Sequence, residues 1–300
     1  MSDRWVERGY AAAWRGVRLL PAPIASALFA RGADLAVRRD GAGVRRLRHN
    51  LARVLGSEPP PALMRAAMRS YARYWLQAFR LPSRTKAQIS AGFTLAGAQL
   101  LAADVAAGRG AIVALPHAGN WDAAGAWVAA QGWPIATVAE RLTPEGLYER
   151  FLAFRRSLGM EIIPLSGGAQ PPMEILVDRL RAGFVVPLLA DRDFSSRGVP
   201  VTFFGAVTRM PPGPALLALS TGAPLYVASL WFDGQQPVGA LVGPLEPPAD
   251  GPLTQRVAQL TQRIADEFAA GIAAHPQDWH MLQRVWRASP DTAPPVAGDS

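Results

Sequence analysis

The stretch Ala-Leu-Pro-His-Ala-Gly-Asn-Trp-Asp, residues 114–122, ends an apolar run on a histidine and sets an aspartate five positions later. An imidazole changes charge near neutral pH, so it can take a proton from a hydroxyl and later return it. A carboxylate bonded to one ring nitrogen fixes the tautomer and stabilises the imidazolium, leaving the other nitrogen as the base. His117 and Asp122 are the right types for such a pair. They equally fit a loop histidine beside an acid that favours a helix N-terminus, and spacing alone leaves both readings open. The remaining histidines are His49, His275 and His280. The last two lie in His-Pro-Gln-Asp-Trp-His-Met-Leu-Gln-Arg-Val-Trp (275–286).

Other chemistries find little support. There is no cysteine, hence no disulfide, thiolate nucleophile or Cys-based zinc site. No Gly-x-Ser-x-Gly elbow is present. Leu-Ser-Gly-Gly-Ala-Gln (165–170) looks like part of an ABC-ATPase signature, but there is no Walker A loop and Lys86 is the sole lysine. The histidines are not at ligand spacing, so no metal is expected. A base without a protein nucleophile would act directly on a substrate hydroxyl, which suits attack of an alcohol on a thioester.

The elements that must position this pair are legible in outline. Residues 1–90 read as mostly helical, with apolar residues at helical spacing over 62–81. From about residue 110, short apolar runs alternate with helical stretches closed by glycine. The runs 111–116, 134–139, 161–165, 184–190, 199–204 and 225–232 predict strands; 121–132, 143–159, 172–183 and 211–222 predict helices. This alternation predicts an α/β fold, with a largely parallel, mixed central sheet flanked by helices and a helical N-terminal layer. One domain over 1–288 is expected, with a helical layer over 1–90, an α/β core and C-terminal helix over 91–288, and a disordered tail at 289–300. His117 would then sit at the carboxyl end of a strand, where open α/β sheets place their sites. Asn120 is the expected N-cap of the helix that follows.

The stretch 114–122 resembles the His-x-x-x-x-Asp motif of glycerolipid-type acyltransferases, and specifically of the bacterial lipid A biosynthesis acyltransferase family. The likeness extends through 139–156, 189–194, 198–205 and 275–286, and is greatest to the branch of actinobacterial phosphatidylinositol mannoside acyltransferases. That resemblance implies a glycerolipid acyltransferase-like fold, acyl-CoA as co-substrate and no further cofactor. The acceptor would be phosphatidylinositol mannoside, with palmitoyl as the chain and a mannose 6-hydroxyl as its target. It implies His117 as general base and Asp122 as the residue that orients it. Glu140 and Arg141 match an acid–arginine pair near the acceptor headgroup; Arg155, or Arg156 one position on, matches a further site arginine. Asp191 stands where the branch carries glutamate, and the lost methylene shortens its expected reach to His117 or the acceptor.

The formal net charge of +8 comes almost wholly from arginine and suits anionic partners. Beyond that charge nothing suggests nucleic acid. On a helical wheel Arg4, Arg8, Arg15 and Arg18 fall within about 80° of one another. Tyr10 and Trp14 lie on the opposite side, so residues 4–20 read as a membrane-contact helix with Arg4, Arg8, Trp14, Arg15 and Arg18 at the surface. The same pattern fits a helix that packs its aromatics into its own core. No signal peptide or transmembrane helix is read, and the expected location is peripheral, on the cytoplasmic face of the plasma membrane. Competing readings are an acyltransferase for a lysophospholipid or another glycolipid, and a non-catalytic basic protein bound at a membrane surface. Nothing in the sequence specifies an oligomeric state.

Overall fold

Long apolar-striped segments near the N-terminus fold as helices α1 (Ala22–Arg39), α2 (Ala42–Leu55) and α3 (Pro61–Arg80) in the computed structural model, which describes residues 16–140, 145–193 and 198–286. Prolines open α1 and α3, where the missing amide costs nothing. These helices are the N-terminal layer that the sequence predicts. A short α4 (Lys86–Ala91) follows, started by a reciprocal Thr85–Gln88 capping box.

The described residues then hold nine strands: β1 (Thr94–Ala96), β2 (Ala111–Leu115), β3 (Ala136–Ala139), β4 (Glu161–Pro164), β5 (Val185–Leu189), β6 (Val199–Phe203), β7 (Ala206–Met210), β8 (Leu225–Asp233) and β9 (Gln236–Val242). Interleaved with them are α5 (Ala98–Ala106), α6 (Trp121–Ala130), α7 (Glu145–Ser157), α8 (Pro172–Arg181) and α9 (Gly213–Thr221), and α10 (Leu253–Ala274) closes the series. The central sheet has the order β1–β9–β8–β2–β5 and is mixed, because β8 and β9 pair antiparallel while the other pairs are parallel. A parallel pair, β3 and β4, joins its β5 edge through a single bridge between Ile135 and Val185.

β2 is central and buried at every residue. Ile112 and Ala114 belong to the apolar core on one face, whereas Ala111, Val113 and Leu115 belong to the core on the other. That two-sided burial explains why its sequence is continuously apolar rather than alternating. The predicted strand at 199–204 departs from expectation. It is a strand, but it pairs with β7 in a separate antiparallel hairpin. Its turn residues Phe204 and Gly205 both have positive φ, the geometry of a two-residue hairpin loop.

At the end of β2 the chain turns sharply into α6. Gly119 takes φ +56°, and a Cβ there would lie 2.6 Å from the Leu230 carbonyl carbon and 2.7 Å from the Trp231 amide nitrogen. Glycine is required on both counts. Asn120 caps α6 as predicted, accepting from the Ala123 amide at 2.9 Å. The turn is clamped by the C-terminal segment: Gly119 N–H donates to the Asp278 carbonyl at 2.9 Å, Ala118 bridges Trp279, and His280 N–H donates to the His117 carbonyl at 2.8 Å.

That clamp is tied back to the N-terminal layer. Ser70 on α3 donates its hydroxyl to Asp278 Oδ1 at 2.5 Å and lies 3.0 Å from His280 Nε2. With the serine proton committed to the carboxylate, Nε2–H of His280 donates to Ser70. His280 Nδ1 is then a buried acceptor with no hydrogen-bond partner among the described residues. Burial holds the His280 imidazole down to a pKa of about 3, with the charges of His117 and Arg73 acting in the same direction. Asn50 on α2 donates to the carbonyls of Met281 and Gln283, both at 2.8 Å.

Two outcomes follow for stability. Gly119→Ala combines backbone strain with a clash against main chain, so it should lower unfolding free energy by at least about 2 kcal/mol, read as a drop in melting temperature. An unfolded histidine titrates near 6.5, whereas burial holds folded His280 down to about 3. Below pH 6.5 the unfolded chain binds the extra proton, so stability falls as pH drops through that window. Between pH 7 and pH 5 this one group should cost on the order of 2 kcal/mol. Urea denaturation of His280→Gln at the two pH values should show that much less acid sensitivity than the unsubstituted protein; equal sensitivity would reject the assignment.

Candidate active site

The site follows from strand register. β2 and β5 run parallel with Leu115 opposite Leu189, and the Ala190 amide donates to the Leu115 carbonyl at 3.0 Å. Two residues beyond, His117 and Asp191 leave the sheet side by side. Asp191 Oδ1 lies 2.6 Å from His117 Nδ1, and Oδ2 accepts from the His117 backbone amide at 2.9 Å. Oδ2 also accepts from the Trp279 indole N–H at 3.0 Å. Asp191 is fully buried. Burial by itself would raise its carboxyl, but the His117 charge and these hydrogen bonds outweigh it and hold the group below its ordinary value. An ionised carboxylate only accepts, so Nδ1 of His117 carries the proton and Nε2 is left as an acceptor.

This corrects two expectations. Asp122 makes no hydrogen bond to His117. Asn120 starts α6 so that Asp122 falls in its first turn and points away, where Arg155 Nε reaches Oδ1 at 2.8 Å and the Tyr74 hydroxyl reaches Oδ2 at 2.8 Å. Both oxygens are taken within the helical wall. Asp191, expected to fall short, instead makes the direct contact, because parallel register brings its backbone to the level of His117 and removes the need for a longer side chain. Being wholly buried, it holds the histidine rather than lining the cavity as a substrate contact.

Arg155 is mostly covered, with 18% of its side chain exposed. Burial lowers its hold on the proton, yet Asp122 and Tyr74 more than compensate, so its pKa is raised. Arg156 is exposed, and it is Arg155 that borders the cavities described below. Glu140 is exposed at the end of β3 and borders the cavities described below. Arg141 lies outside the described residues, as do Arg4, Arg8, Trp14 and Arg15. Arg18 is described: it is exposed and donates to the Phe79 carbonyl at 2.9 Å, near the end of α3.

Two cavities meet at His117. One, of about 530 Å³, is walled chiefly by apolar side chains, including Leu115, Met173, Leu176, Leu188 and Leu217. The other, of about 450 Å³, is walled by Tyr71, Tyr74, Trp75, Tyr148 and Phe151, with His280 and Gln283. His117, Trp121, Glu140, Arg155 and Arg192 border both. Trp121 packs edge-on to His117, and its buried indole N–H has no hydrogen-bond partner among the described residues. Arg192 is half-buried; burial lowers its pKa, opposed by the charges of Asp191 and Glu140. The arrangement is a carboxylate-held histidine that borders both an apolar and a polar-aromatic chamber, as do the side chains of Arg155 and Arg192. Among the described residues no cluster of His, Asp and Glu is placed to hold a metal, and no helix is long and apolar enough to cross a membrane.

Sequence reasoning missed Trp279, Tyr74 and Arg192 as members of this site. Trp279 and Tyr74 sit far from His117 along the chain and carry no local signal; Arg192 was visible only as the residue following Asp191.

Comparison with known proteins agrees with the geometry. The model of the bacterial lipid A biosynthesis acyltransferase family matches residues 1–288. The chain is 47% identical over 283 residues to the phosphatidylinositol mannoside acyltransferase of Mycolicibacterium smegmatis, covering 93% of this chain and 91% of that one. It is 48% identical over 284 residues to the protein of the same name from Mycobacterium tuberculosis, covering 93% and 88%. The chain belongs to the bacterial lipid A biosynthesis acyltransferase family, and it is an acyltransferase.

Proposed function

We propose that this acyltransferase moves a long-chain acyl group, palmitoyl in the first instance, from acyl-CoA to a mannose hydroxyl of a phosphatidylinositol mannoside. The observation that carries this reading is a carboxylate-held histidine at the meeting point of an apolar chamber and a polar-aromatic one. The apolar chamber falls within the usual range for small-molecule sites, about 300–1,000 Å³, and suits the acyl chain. The second chamber, walled by aromatic rings and reached by Glu140, Arg155 and Arg192, suits a sugar ring with a neighbouring phosphate. Rings offer flat faces to the sugar, and guanidinium groups offer paired donors to the anion.

In the reaction, Nε2 of His117 takes the proton of the mannose hydroxyl as its oxygen attacks the thioester carbonyl. A tetrahedral intermediate forms and collapses with cleavage of the carbon–sulfur bond. The departing sulfur takes the proton from the imidazolium, so the products are the sugar ester and free CoA. No acyl-enzyme is needed. Asp191, held ionised by His117 and Trp279, stabilises the imidazolium while it exists. The buried Trp121 indole N–H beside His117 is suited to the developing oxyanion. The roles of Asp122 and Tyr74 in this scheme are to hold Arg155 in the wall.

The acceptor is a lipid, so the enzyme works at a membrane surface, on the cytoplasmic face of the plasma membrane. Arg4, Arg8, Trp14, Arg15 and Arg18 are the proposed contacts. Support comes from the residues that follow them: Leu19 is 85% exposed, and Ile24 and Leu28 one turn apart on α1 are each 51% exposed. An exposed apolar row next to arginines is the composition of a helix lying in an anionic interface.

The test is transfer of labelled palmitate from palmitoyl-CoA to phosphatidylinositol mono- and dimannoside, run beside lysophosphatidic acid. Mannoside product is expected, with kcat reduced by about 10²–10⁴ in both His117→Ala and Asp191→Asn while the melting temperature stays close to that of the parent. Product on lysophosphatidic acid alone would overturn the acceptor. Full activity in Asp191→Asn would overturn the proposed role of the carboxylate.

A further inference from the structure

The apolar chamber has an open end and a closed one. β2, β3, β4 and β5 run parallel, so the chain leaves β3 and β4 on the same side of the sheet as His117. Lining residues on that side are open to solvent: Glu140 and Leu165 are exposed, and His117, Arg192 and Asp193 are only partly buried. At the opposite end of β4 stands Met160. It is buried, it lines the chamber, and buried Gly125 of α6 packs against it.

Nothing in the backbone calls for glycine at 125, which lies within α6. Glycine inside a helix is less favourable than alanine. The neighbour is what calls for it. A Cβ there would lie 3.0 Å from Met160 Cε and 3.1 Å from its Sδ, with Ile135 Cδ1 at 3.7 Å. The end of Met160 therefore rests in a notch that Gly125 leaves in the helix. Trp121, one turn earlier, borders the chamber on the same face. The Met160 backbone is held on both sides. α7 ends on Gly159 with positive φ; its N–H donates to the Arg156 carbonyl at 2.9 Å, and the Met160 N–H donates to the Arg155 carbonyl at 3.2 Å. Paired bonds of this kind are a Schellman cap. The next amide, of Glu161, donates to the Ile135 carbonyl at 3.0 Å. Only the flexible thioether side chain is left to move.

We propose that Met160, seated in the Gly125 notch, is the floor of the acyl chamber and sets the length of chain the enzyme accepts. The proposal rests on the reading above that this chamber takes the acyl chain. A methyl group at 125 would displace the thioether end. The surrounding core is close-packed, so the space open to that end is the chamber, which becomes shorter. Removing the thioether has the opposite effect and deepens it.

The experiment uses the full chain with Gly125→Ala, Met160→Ala and the two combined, assayed with dodecanoyl-, palmitoyl- and stearoyl-CoA. Gly125→Ala should lower the palmitoyl-to-dodecanoyl ratio of kcat/KM about threefold, and Met160→Ala should raise the stearoyl-to-palmitoyl ratio about tenfold. The double variant should behave as Met160→Ala, since the added methyl then has nothing to push. A shift from Gly125→Ala that persists in the double variant overturns action through Met160. Losses equal at every chain length mark a structural role alone and overturn the floor. Unaltered ratios in both single variants set the chain end against Leu176 and Leu217 and overturn it too. Should Met160→Ala fail to fold, Met160→Val takes its place, with a smaller shift in the same direction. Displacement of a fluorescent long-chain fatty acid by dodecanoate, palmitate and stearate should follow the same order without turnover. Parent protein that shows this displacement but acylates no mannoside would remove the acceptor assignment and leave the floor standing. Parent protein that binds no fatty acid would overturn the floor.

Discussion

The parallel register between β2 and β5 is the constraint on which the site depends. It sets Leu115 against Leu189 and so brings the next exits from the sheet, His117 and Asp191, to the same level. A slip of one residue would turn Asp191 to the other face. Register is in turn fixed by burial, since β2 carries apolar residues on both faces and belongs to both cores. Thus the packing that stabilises the sheet also sets the distance between His117 and its carboxylate partner. The C-terminal segment completes the arrangement from outside. Its backbone clamps the turn through Gly119, and its Trp279 indole supplies the third donor to Asp191.

Much of the fold was legible because burial leaves a period in the sequence. β2 and β5 are continuous apolar runs, α6 begins at its predicted Asn120 cap, and α10 is the expected C-terminal helix. Elements with weaker patterns were not legible. β1 is three residues long, β9 includes a glycine where its neighbour's side chain comes close, and β7 alternates around exposed Val207 and Arg209. The hairpin of β6 and β7 also could not be told from a strand of the central sheet, since periodicity reports burial of a face and not the partner strand.

The histidine was legible in the sequence and its hydrogen-bond partner was not. His117 is marked by position at the end of an apolar run. Its partner was misassigned because proximity along the chain favours Asp122, whereas proximity in space comes from register, which a single sequence does not record. Asp122 is nevertheless no bystander. With Tyr74 and Arg155 it forms a buried, fully paired group, and removing any one member would leave a buried charge or hydroxyl without its partner. A motif pair that looks like one catalytic unit is therefore two: a histidine held by Asp191, and an acid that fixes an arginine in the cavity wall.

Aspartate at position 191 illustrates how backbone placement substitutes for side-chain length. A glutamate here would add a methylene, and with it reach and a further torsion to be fixed on folding. Here the carboxylate receives the His117 backbone amide on Oδ2 and the ring Nδ1 on Oδ1, so a single residue is gripped at two points. Such two-point contact sets the orientation of the imidazole as well as its tautomer. The indole N–H on Oδ2 then helps keep the group ionised despite complete burial. A short side chain with three donors around it gives less room for rotation than a longer one, and that rigidity fixes the imidazole where the two chambers meet.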